Sequence, residues 1–339
     1  MKKIKVSIIT EGSKHLGLGH IYSCLSFYQA FKTEKADVQI IINGDSSVVG
    51  LMKGVKFSFL KWLDPKNEEL LISEIRGSSI VIIDSLYASK NIYEKVSSRV
   101  SVPVFMDYNK RFDYPRGIVI NRTLNAHKLN YPKKENIIYL FGTRYFPLTK
   151  AFWYAPEKII SKKVKNILIT FGGSDLKEMT PRVLKFLSEE YKEMNKFVII
   201  GKAFEHINII KKYLDKNTKL FFHPNGETIK NIMLDSDIAI SAGGQTLFEL
   251  ARIGVPTIAV TVANNQKLNI KSLLDIDFIE YVGNWNDRNF YFKLNQTIKK
   301  LKNFHLRKRK NIIGRKLIDG YGSVRVANFV LGSVNAYKI

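Results

Sequence analysis

The segment NILITFGGSD, residues Asn166–Asp175, decides the fold class because it joins an apolar strand to a glycine turn. The turn Gly172–Ser174 offers backbone N–H groups and a hydroxyl, which are suitable donors to a diphosphate. Thr180 and Pro181 then predict the start of a helix, with Thr180 as the N-cap and Pro181 at the first helical position. Strand, glycine turn and helix in this order are typical of a parallel sheet that binds a phosphorylated ligand.

The same alternation of β-branched runs and amphipathic helical runs extends in both directions from this segment. It runs once to about residue 125 and restarts at Asn166, while residues 131–164 are polar, aromatic and interrupted by prolines, as in a linker. We therefore predict an α/β fold of two Rossmann-like doubly wound domains, residues 1–155 and residues 156–339. A C-terminal helix over Gly322–Tyr337 is assigned to the second domain. Because ligands of such sheets bind beyond the carboxyl ends of the strands, we expect the site in the cleft between the domains.

Two further glycine turns stand at strand–helix junctions. The first, EGSKHLGLGH (Glu11–His20), lacks the third glycine of a dinucleotide fingerprint and the lysine–serine pair of a Walker motif. The other, SAGGQT (Ser241–Thr246), precedes a helix in which Glu249 is placed to accept hydrogen bonds from a ribose diol. In the alternative interpretation these are plain tight turns, His20 is a capping or packing residue, and Glu249 faces solvent.

The composition excludes several classes of protein. The chain has 339 residues, of which 45% are hydrophobic and 25% charged, so it can bury a core. A single cysteine, Cys24, excludes a disulfide framework and a cysteine-built metal site, and six histidines without ligand spacing argue against zinc. No apolar run approaches the ~18 residues of a membrane span and no secretory signal is visible, so we expect a cytoplasmic protein.

The net charge of +24 predicts attraction to polyanions. Lysines and arginines are nevertheless scattered, and the densest cluster, Arg307–Lys310, is interpreted as solvated surface that can be neutralised without loss of activity. No zinc-finger or aromatic-basic motif accompanies the charge, so we predict no dedicated nucleic-acid partner. A non-catalytic nucleotide or polyanion binder stays open as an alternative.

The glycine turns belong to a longer series of motifs. In chain order these are Gly17–His20, Leu140–Tyr145, Ile169–Asp175, Ser241–Thr246, Glu249, Asn265–Gln266 and Asp319–Gly322. Together they resemble the UDP-sugar hydrolases of pseudaminic acid biosynthesis and the related spore-coat polysaccharide proteins. These are cousins of the peptidoglycan N-acetylglucosaminyltransferase and share its GT-B architecture. The resemblance covers about residues 5–325.

The resemblance implies a role for individual residues. His20 is implied as the general base that activates water, and Tyr87 as a catalytic-site tyrosine that lines the sugar pocket. Glu249 is implied to bind the ribose, and backbone near Phe222 and His223 to contact the uracil. The implied substrate-binding residues are Gly17, Gly19, Gly172, Gly173, Ser174, Phe222, His223, Gly243, Gly244, Gln245, Thr246, Glu249, Asn265 and Gln266.

The chain departs from the family pattern around the sugar pocket. Ser23 stands where the family commonly has arginine, three residues after the histidine. Tyr87 is displaced by one position, and Asp107–Tyr108 stands where an acidic pair is expected. These differences concern the identity of the sugar more than the reaction.

The predicted reaction is hydrolysis of a UDP-sugar at its anomeric carbon, with a 2,4-diacetamido-2,4,6-trideoxy hexose as the sugar that the resemblance implies. UDP is a good leaving group, so we expect one base and neither a metal nor another cofactor. The helix N-terminus is expected to keep His20 neutral near pH 7. An inverting GT-B glycosyltransferase, in which the same base activates an acceptor hydroxyl, is the alternative, and the oligomeric state stays open.

Overall fold

The computed structural model describes residues 3–13 and 16–336. Lys14 and His15 of the first predicted glycine turn, and Tyr337 of the predicted C-terminal helix, lie outside the described residues. The chain divides into two compact units, one of Met1–Lys150 with Gly320–Ile339 and one of Ala151–Asp319.

The first unit is a parallel sheet with helices on both faces. Its elements are β1 (Lys5–Gly12), α1 (Gly19–Thr33), β2 (Asp37–Gly44), β3 (Phe57–Phe59), α2 (Glu68–Glu74), β4 (Ile80–Asp84), α3 (Lys90–Arg99), β5 (Val102–Asp107), β6 (Gly117–Asn121), β7 (Ile137–Phe141) and α11 (Gly322–Ala336). Among the described residues the strand order is β3-β2-β1-β4-β5-β6-β7. Central strands such as β4 are buried throughout, since helices cover both faces of the sheet.

The second unit repeats this plan. Its elements are β8 (Asn166–Thr170), α4 (Met179–Glu190), β9 (Asn195–Ile200), α5 (Ile207–Lys211), β10 (Thr218–Phe222), α6 (Gly226–Asp235), β11 (Ile238–Ala242), α7 (Thr246–Ile253), β12 (Thr257–Thr261), α8 (Lys267–Asp275), β13 (Ile279–Asn284), α9 (Phe290–Leu301) and α10 (Phe304–Leu317). The described strands run in the order β10-β9-β8-β11-β12-β13, and the pairs are parallel. The predicted α/β class with two doubly wound sheets is confirmed.

The last helix belongs to the first unit, whereas the sequence assigned it to the second. It packs against α1, and Val326, Ala327 and Val330 of α11 are buried there. A β-carbon at Gly322 would lie 2.1 Å from the carbonyl oxygen of Phe146, so only glycine allows this close approach. The sequence of an apolar terminal helix does not show which of two cores the helix covers.

Two local predictions are wrong. Residues 131–164 are not only a linker, because β7 pairs with β6 and forms the edge of the first sheet. Thr180 is not the N-cap of α4, because the helix begins at Met179. The carboxylate of Asp175 accepts hydrogen bonds from the N–H groups of Met179 (2.9 Å) and Thr180 (2.7 Å) and so caps the helix from the glycine turn.

The basic cluster on α10 is divided between core and surface, which corrects the interpretation as solvated surface. Arg307 and Lys310 are fully buried. The guanidinium of Arg307 donates to the carbonyls of Ser161 (2.8 Å) and Lys162 (3.0 Å), while Arg309 is exposed and pairs with Asp277. Within the second unit, Arg307 therefore holds the segment that precedes β8 against α10.

We predict that Arg307→Ala destabilises the second unit and that Arg309→Ala, on the same helix, does not. Truncating the buried Arg307 removes its hydrogen bonds to two carbonyls and opens a cavity, at a cost of about 2–3 kcal/mol. For a unit of this size the loss lowers the melting temperature by roughly 5–10 °C. Exposed ion pairs such as that of Arg309 contribute little. Equal melting temperatures for the two variants would contradict this assignment.

Candidate functional site

In each sheet the strand order reverses beside the first strand of the unit. The reversal lies between β1 and β4 in the first sheet and between β8 and β11 in the second. In open parallel sheets such a reversal leaves a crevice at the carboxyl ends of the strands, where ligands bind. The three predicted glycine turns follow β1, β8 and β11, so each stands at one of these two reversals.

The turn after β1 has the geometry that its glycines predict. Gly17 has a φ of 86°, in the left-handed region that glycine adopts without strain. Its N–H donates to the carbonyl of Ser13 at 2.9 Å, and the N–H of Leu16 donates to the hydroxyl of Ser13 at 3.1 Å. Gly17 and Gly19 are both exposed, and α1 begins at Gly19. The turn thus delivers His20 in the first turn of the helix.

His20 pairs with a buried carboxylate on the neighbouring strand. Its Nδ1 lies 2.7 Å from Oδ1 of Asp84, the last residue of β4. The side chain of Asp84 is fully buried, and that of His20 is 18% exposed. An ionised carboxylate only accepts, so Nδ1 donates and Nε2 keeps the lone pair that can take a proton.

The pKa of His20 is shifted in the direction opposite to that expected from the helix dipole. Burial lowers this pKa, but the charge of Asp84, the hydrogen bond to it and the charge of Glu11 together raise it above its ordinary value. Burial raises the pKa of Asp84, but the charges of His20 and Arg122 and the hydrogen bonds from His20 and Tyr108 together outweigh burial and lower it. The expectation that the helix N-terminus lowers the pKa of His20 is therefore corrected: the neighbouring carboxylates raise it.

Tyr108 and Arg122 complete this group, and sequence reasoning did not single them out as site residues. The hydroxyl of Tyr108 donates to Oδ1 of Asp84 at 2.6 Å. Arg122 donates to the hydroxyl of Ser23 at 2.8 Å and to that of Tyr108 at 3.4 Å. The available signal was positional, since Tyr108 directly follows β5 and Arg122 directly follows β6.

A second buried carboxylate shapes the loop that carries Tyr87. Glu11, near the end of β1, accepts the N–H of Leu86 at 2.7 Å, and burial raises its pKa. The N–H of Tyr87 donates to the hydroxyl of Ser85 at 3.0 Å. The Tyr87 side chain is 59% exposed in the loop that follows Asp84. Its role at a sugar pocket stays a prediction.

The glycine turn after β8 is open to solvent at Gly172, which has a φ of 79° and is exposed. Gly173 and Ser174 are partly exposed, and the carbonyl of Gly173 accepts the N–H of Ala203 at 3.0 Å. A β-carbon at Gly201 would lie 2.3 Å from that carbonyl oxygen. The ends of β8 and β9 therefore approach each other through glycines.

The turn after β11 is held to the next strand by an amide. The side-chain oxygen of Gln266 accepts the N–H groups of Gly243 and Val262, both at 3.1 Å. Gln266 thus acts on the protein's own backbone, whereas Asn265 is exposed. The remaining predicted residues of this turn, all partly exposed, are Gly244, Gln245 and Thr246.

Glu249 lies in the first turn of α7 and is partly buried. Burial raises its pKa to about 7. Phe222 ends β10 at the edge of the second sheet, and Phe222 and the following His223 are both exposed. His223 has a φ of 46°, and its N–H donates to the carbonyl of Ile200.

Among residues 3–13 and 16–336, no helix has the length and apolar character needed to cross a membrane. No group of three or more histidine, cysteine, aspartate or glutamate side chains there is arranged to hold a metal ion.

The second unit matches the model of the glycosyltransferase family 28 C-terminal domain over residues 166–316. The chain is 23% identical over 334 residues to the spore coat polysaccharide biosynthesis protein SpsG of Bacillus subtilis, which covers 95% of this chain and 96% of that protein. Both findings fit the family predicted from the motifs. The fold agrees with that of MurG from Acinetobacter baumannii, with a TM-score of 0.68, 16% identity and coverage of 97% and 99% of the two chains. The GT-B architecture is thereby confirmed.

Two further relatives are longer proteins. The uncharacterized protein MJ1062 of Methanocaldococcus jannaschii is 29% identical over 274 residues, which are 76% of this chain and 55% of that protein. The Helicobacter pylori "pseudaminic acid cytidylyltransferase and UDP-2,4-diacetamido-2,4,6-trideoxy-beta-L-altropyranose hydrolase" is 26% identical over 278 residues, 80% of this chain and 47% of that protein. The chain thus spans about half the length of these two relatives. The comparisons show a GT-B fold, and two of the relatives have names that refer to polysaccharide biosynthesis or to a nucleotide-sugar hydrolase.

Proposed function

We propose that the protein is a nucleotide-sugar hydrolase that releases UDP from a UDP-linked 2,4-diacetamido-2,4,6-trideoxy hexose. The observation that carries the proposal is the hydrogen bond between His20 and the buried Asp84 at the strand reversal of the first sheet. It provides a ring nitrogen, Nε2, that can accept a proton from water. The printed name of the Helicobacter pylori relative supports hydrolysis and this class of sugar.

In the proposed reaction His20 is the general base. Nε2 takes a proton from water as the water oxygen forms a bond to the anomeric carbon. The bond between that carbon and the β-phosphate oxygen breaks, and UDP leaves with the electron pair. The ionised Asp84 stabilises the imidazolium that forms. Positioned general-base catalysis of this kind contributes typically ~10²–10⁴-fold, and attack opposite the leaving group inverts the anomeric carbon.

The second unit is proposed to bind UDP. Its two glycine turns, at Gly172–Ser174 and Gly243–Thr246, follow neighbouring strands at a reversal, where backbone N–H groups favour an anion. Glu249 follows the second of these turns and would accept hydrogen bonds from the ribose hydroxyls. Negative charge that develops on the leaving diphosphate would be stabilised by the same donors.

A glycosyltransferase is the second candidate, because the matching family model is that of a glycosyltransferase domain. The His20–Asp84 pair would then deprotonate the hydroxyl of an acceptor. The two reactions differ in whether UDP appears without an acceptor. Release of UDP only when an acceptor is added would favour the transferase.

We predict that Glu249→Ala weakens UDP binding at least tenfold at pH 8, measured by calorimetry. Each hydrogen bond to a charged acceptor contributes roughly 1.5–3 kcal/mol. Because the pKa of Glu249 is raised to about 7, the carboxylate must lose a proton to bind the diol, so affinity should fall as the pH decreases below 7.

Two variants serve as controls for this prediction. Glu249→Gln retains a side-chain oxygen that accepts hydrogen bonds but cannot ionise. The pH dependence of its UDP affinity should therefore come only from the phosphates of UDP. Glu227→Ala removes an exposed glutamate from the first turn of α6 and should leave affinity unchanged. Unchanged UDP affinity in Glu249→Ala would reject the proposed ribose contact.

We predict that His20→Asn retains UDP binding and lowers the rate of UDP release by ~10²–10⁴-fold in single-turnover measurements. In the wild type, release should fall as the pH decreases through a pKa above the ordinary histidine value, because Asp84 raises that pKa. His127→Asn, at an exposed histidine of the same unit, is the matched control. Near-normal turnover with an unchanged melting temperature in His20→Asn would show that another group activates the water.

A further inference from the structure

Arg122 is joined to His20 by a row of hydrogen bonds through two other side chains. Its guanidinium donates to the hydroxyl of Tyr108 at 3.4 Å, that hydroxyl donates to Asp84 at 2.6 Å, and Asp84 accepts from Nδ1 of His20 at 2.7 Å. The same carboxylate oxygen, Oδ1, accepts from both Tyr108 and His20. A change at Arg122 can therefore reach the imidazole without Arg122 touching it.

The guanidinium is itself held in place from two sides. It donates to the hydroxyl of Ser23 on α1 at 2.8 Å, and it lies over the ring of Phe146 at 4.5 Å from the centroid. It also lies 5.2 Å from the ring centroid of Tyr108. Arg122 is buried, and burying a long cationic side chain costs free energy unless its charge is compensated. The compensating carboxylates are those of the His20 site.

We propose that Arg122 is a positioning residue that fixes Tyr108 on Asp84 and supplies the positive charge that balances the buried carboxylates around His20. The role of Arg122 in turnover rests on the proposed function, but its effect on His20 does not. By anchoring Tyr108, Arg122 keeps Asp84 in the orientation in which Oδ1 accepts from Nδ1. That orientation leaves Nε2 as the proton-accepting nitrogen.

The charged and titratable groups around the imidazole come from four strands. Glu11 is on β1, Asp84 ends β4, Tyr108 follows β5 and Arg122 follows β6. The two carboxylates raise the pKa of His20, and the positive charge of Arg122 lowers it. Arg122 also lowers the pKa of Asp84, so it favours the ionised carboxylate.

Two further titratable side chains, which stay neutral, lie next to the charged residues around His20. Cys24 on α1 is buried, and burial raises the pKa of its thiol well above the ordinary value. Burial also raises the pKa of Tyr108 well above its ordinary value. Both stay protonated in the range where histidine titrates, so neither adds charge there, and the positive charge of Arg122 acts on Asp84 and His20.

The small side chain of Ser23 fits this arrangement. The resemblance implies an arginine at position 23, and here the guanidinium beside that position comes from residue 122 instead. A second guanidinium on residue 23 would lie against that of Arg122, and like charges at such a distance repel.

Arg122→Met tests the proposal, with Arg116→Met as a matched control. The two arginines flank the same strand, Arg116 at its amino end and Arg122 at its carboxyl end. Arg116 donates to the carbonyls of Val100 and Ser101. Both variants thus remove one arginine and its hydrogen bonds, but of the two arginines it is Arg122 that lies beside Tyr108. Arg122→Lys restores the charge without the guanidinium.

The first measurement is the pKa of His20 by NMR titration of the imidazole, with the resonance assigned by its loss in His20→Asn. We expect Arg122→Met to raise this pKa by roughly half a pH unit or more, because a nearby cation is lost. Arg116→Met should leave it unchanged, and Arg122→Lys should return it close to the wild-type value. A His20 pKa that is unchanged or lower in Arg122→Met, or that shifts equally in Arg116→Met, would overturn the proposal.

The second measurement is the pH profile of UDP release, whose acid limb should move to higher pH in Arg122→Met by the same amount. If the wild type releases no UDP from any UDP-sugar, the proposed function fails, and the NMR titration still decides the role of Arg122. If Arg122→Met does not fold, Arg122→Gln gives the same readout, since it keeps hydrogen-bond donors and removes the charge. A merely structural arginine would lower the melting temperature in these variants without moving the pKa of His20.

Discussion

Each unit is organised by the point in its parallel sheet at which the order of the strands reverses. In the first sheet β2 is added on one side of β1 and β4 on the other, so the carboxyl ends of β1 and β4 are neighbours although residues 13–79 separate the two strands in the chain.

 Because the two ends are adjacent in the sheet, a helix that starts after β1 can place His20 against the last residue of β4. The second unit repeats the arrangement with the turns after β8 and β11.

The buried charge of Asp84 explains why so many side chains converge on one edge of the first sheet. A carboxylate without solvent is stable only when donors and opposite charge surround it. His20 and Tyr108 supply the donors to Oδ1, and Arg122 supplies charge at the far side of Tyr108. Each of these residues directly follows a parallel strand or begins the helix after one. The fold therefore brings them together, and the buried carboxylate fixes their orientation.

Much of the architecture could be predicted from sequence because parallel strands that are covered on both faces are nearly continuous apolar runs. The run Ile80–Ile83, followed by Asp84, is such a strand: it forms β4 and is buried throughout. The edge strand β7 lies in the segment predicted as a linker, because that segment is polar, aromatic and interrupted by prolines; in β7 itself Tyr139 and Phe141 are only partly buried. The burial of Arg307 could not be predicted, since nothing in a basic run distinguishes a cation that donates to carbonyls from one in solvent.

The residues of the candidate site also differ in whether the sequence could predict them. His20 and the glycine turns have local signals, namely a glycine before the residue and a strand–turn–helix order. Tyr108 and Arg122 have none, because their importance arises from the adjacency of β4, β5 and β6 in the sheet. The direction in which the pKa of His20 is shifted could not be predicted for a related reason. The helix N-terminus is visible in the sequence, whereas the carboxylate that outweighs it is contributed by a strand far along the chain.

The central claim is that water, activated in the first unit, attacks the sugar and not the diphosphate. The most direct measurement is the mass of the UDP released from UDP-sugars in ¹⁸O-labelled water without any acceptor. The account predicts UDP that carries no label, together with an equal amount of free sugar. Labelled UDP would show that water attacks phosphorus, and an absence of UDP until an acceptor is supplied would show that the protein transfers the sugar; either result would contradict the account.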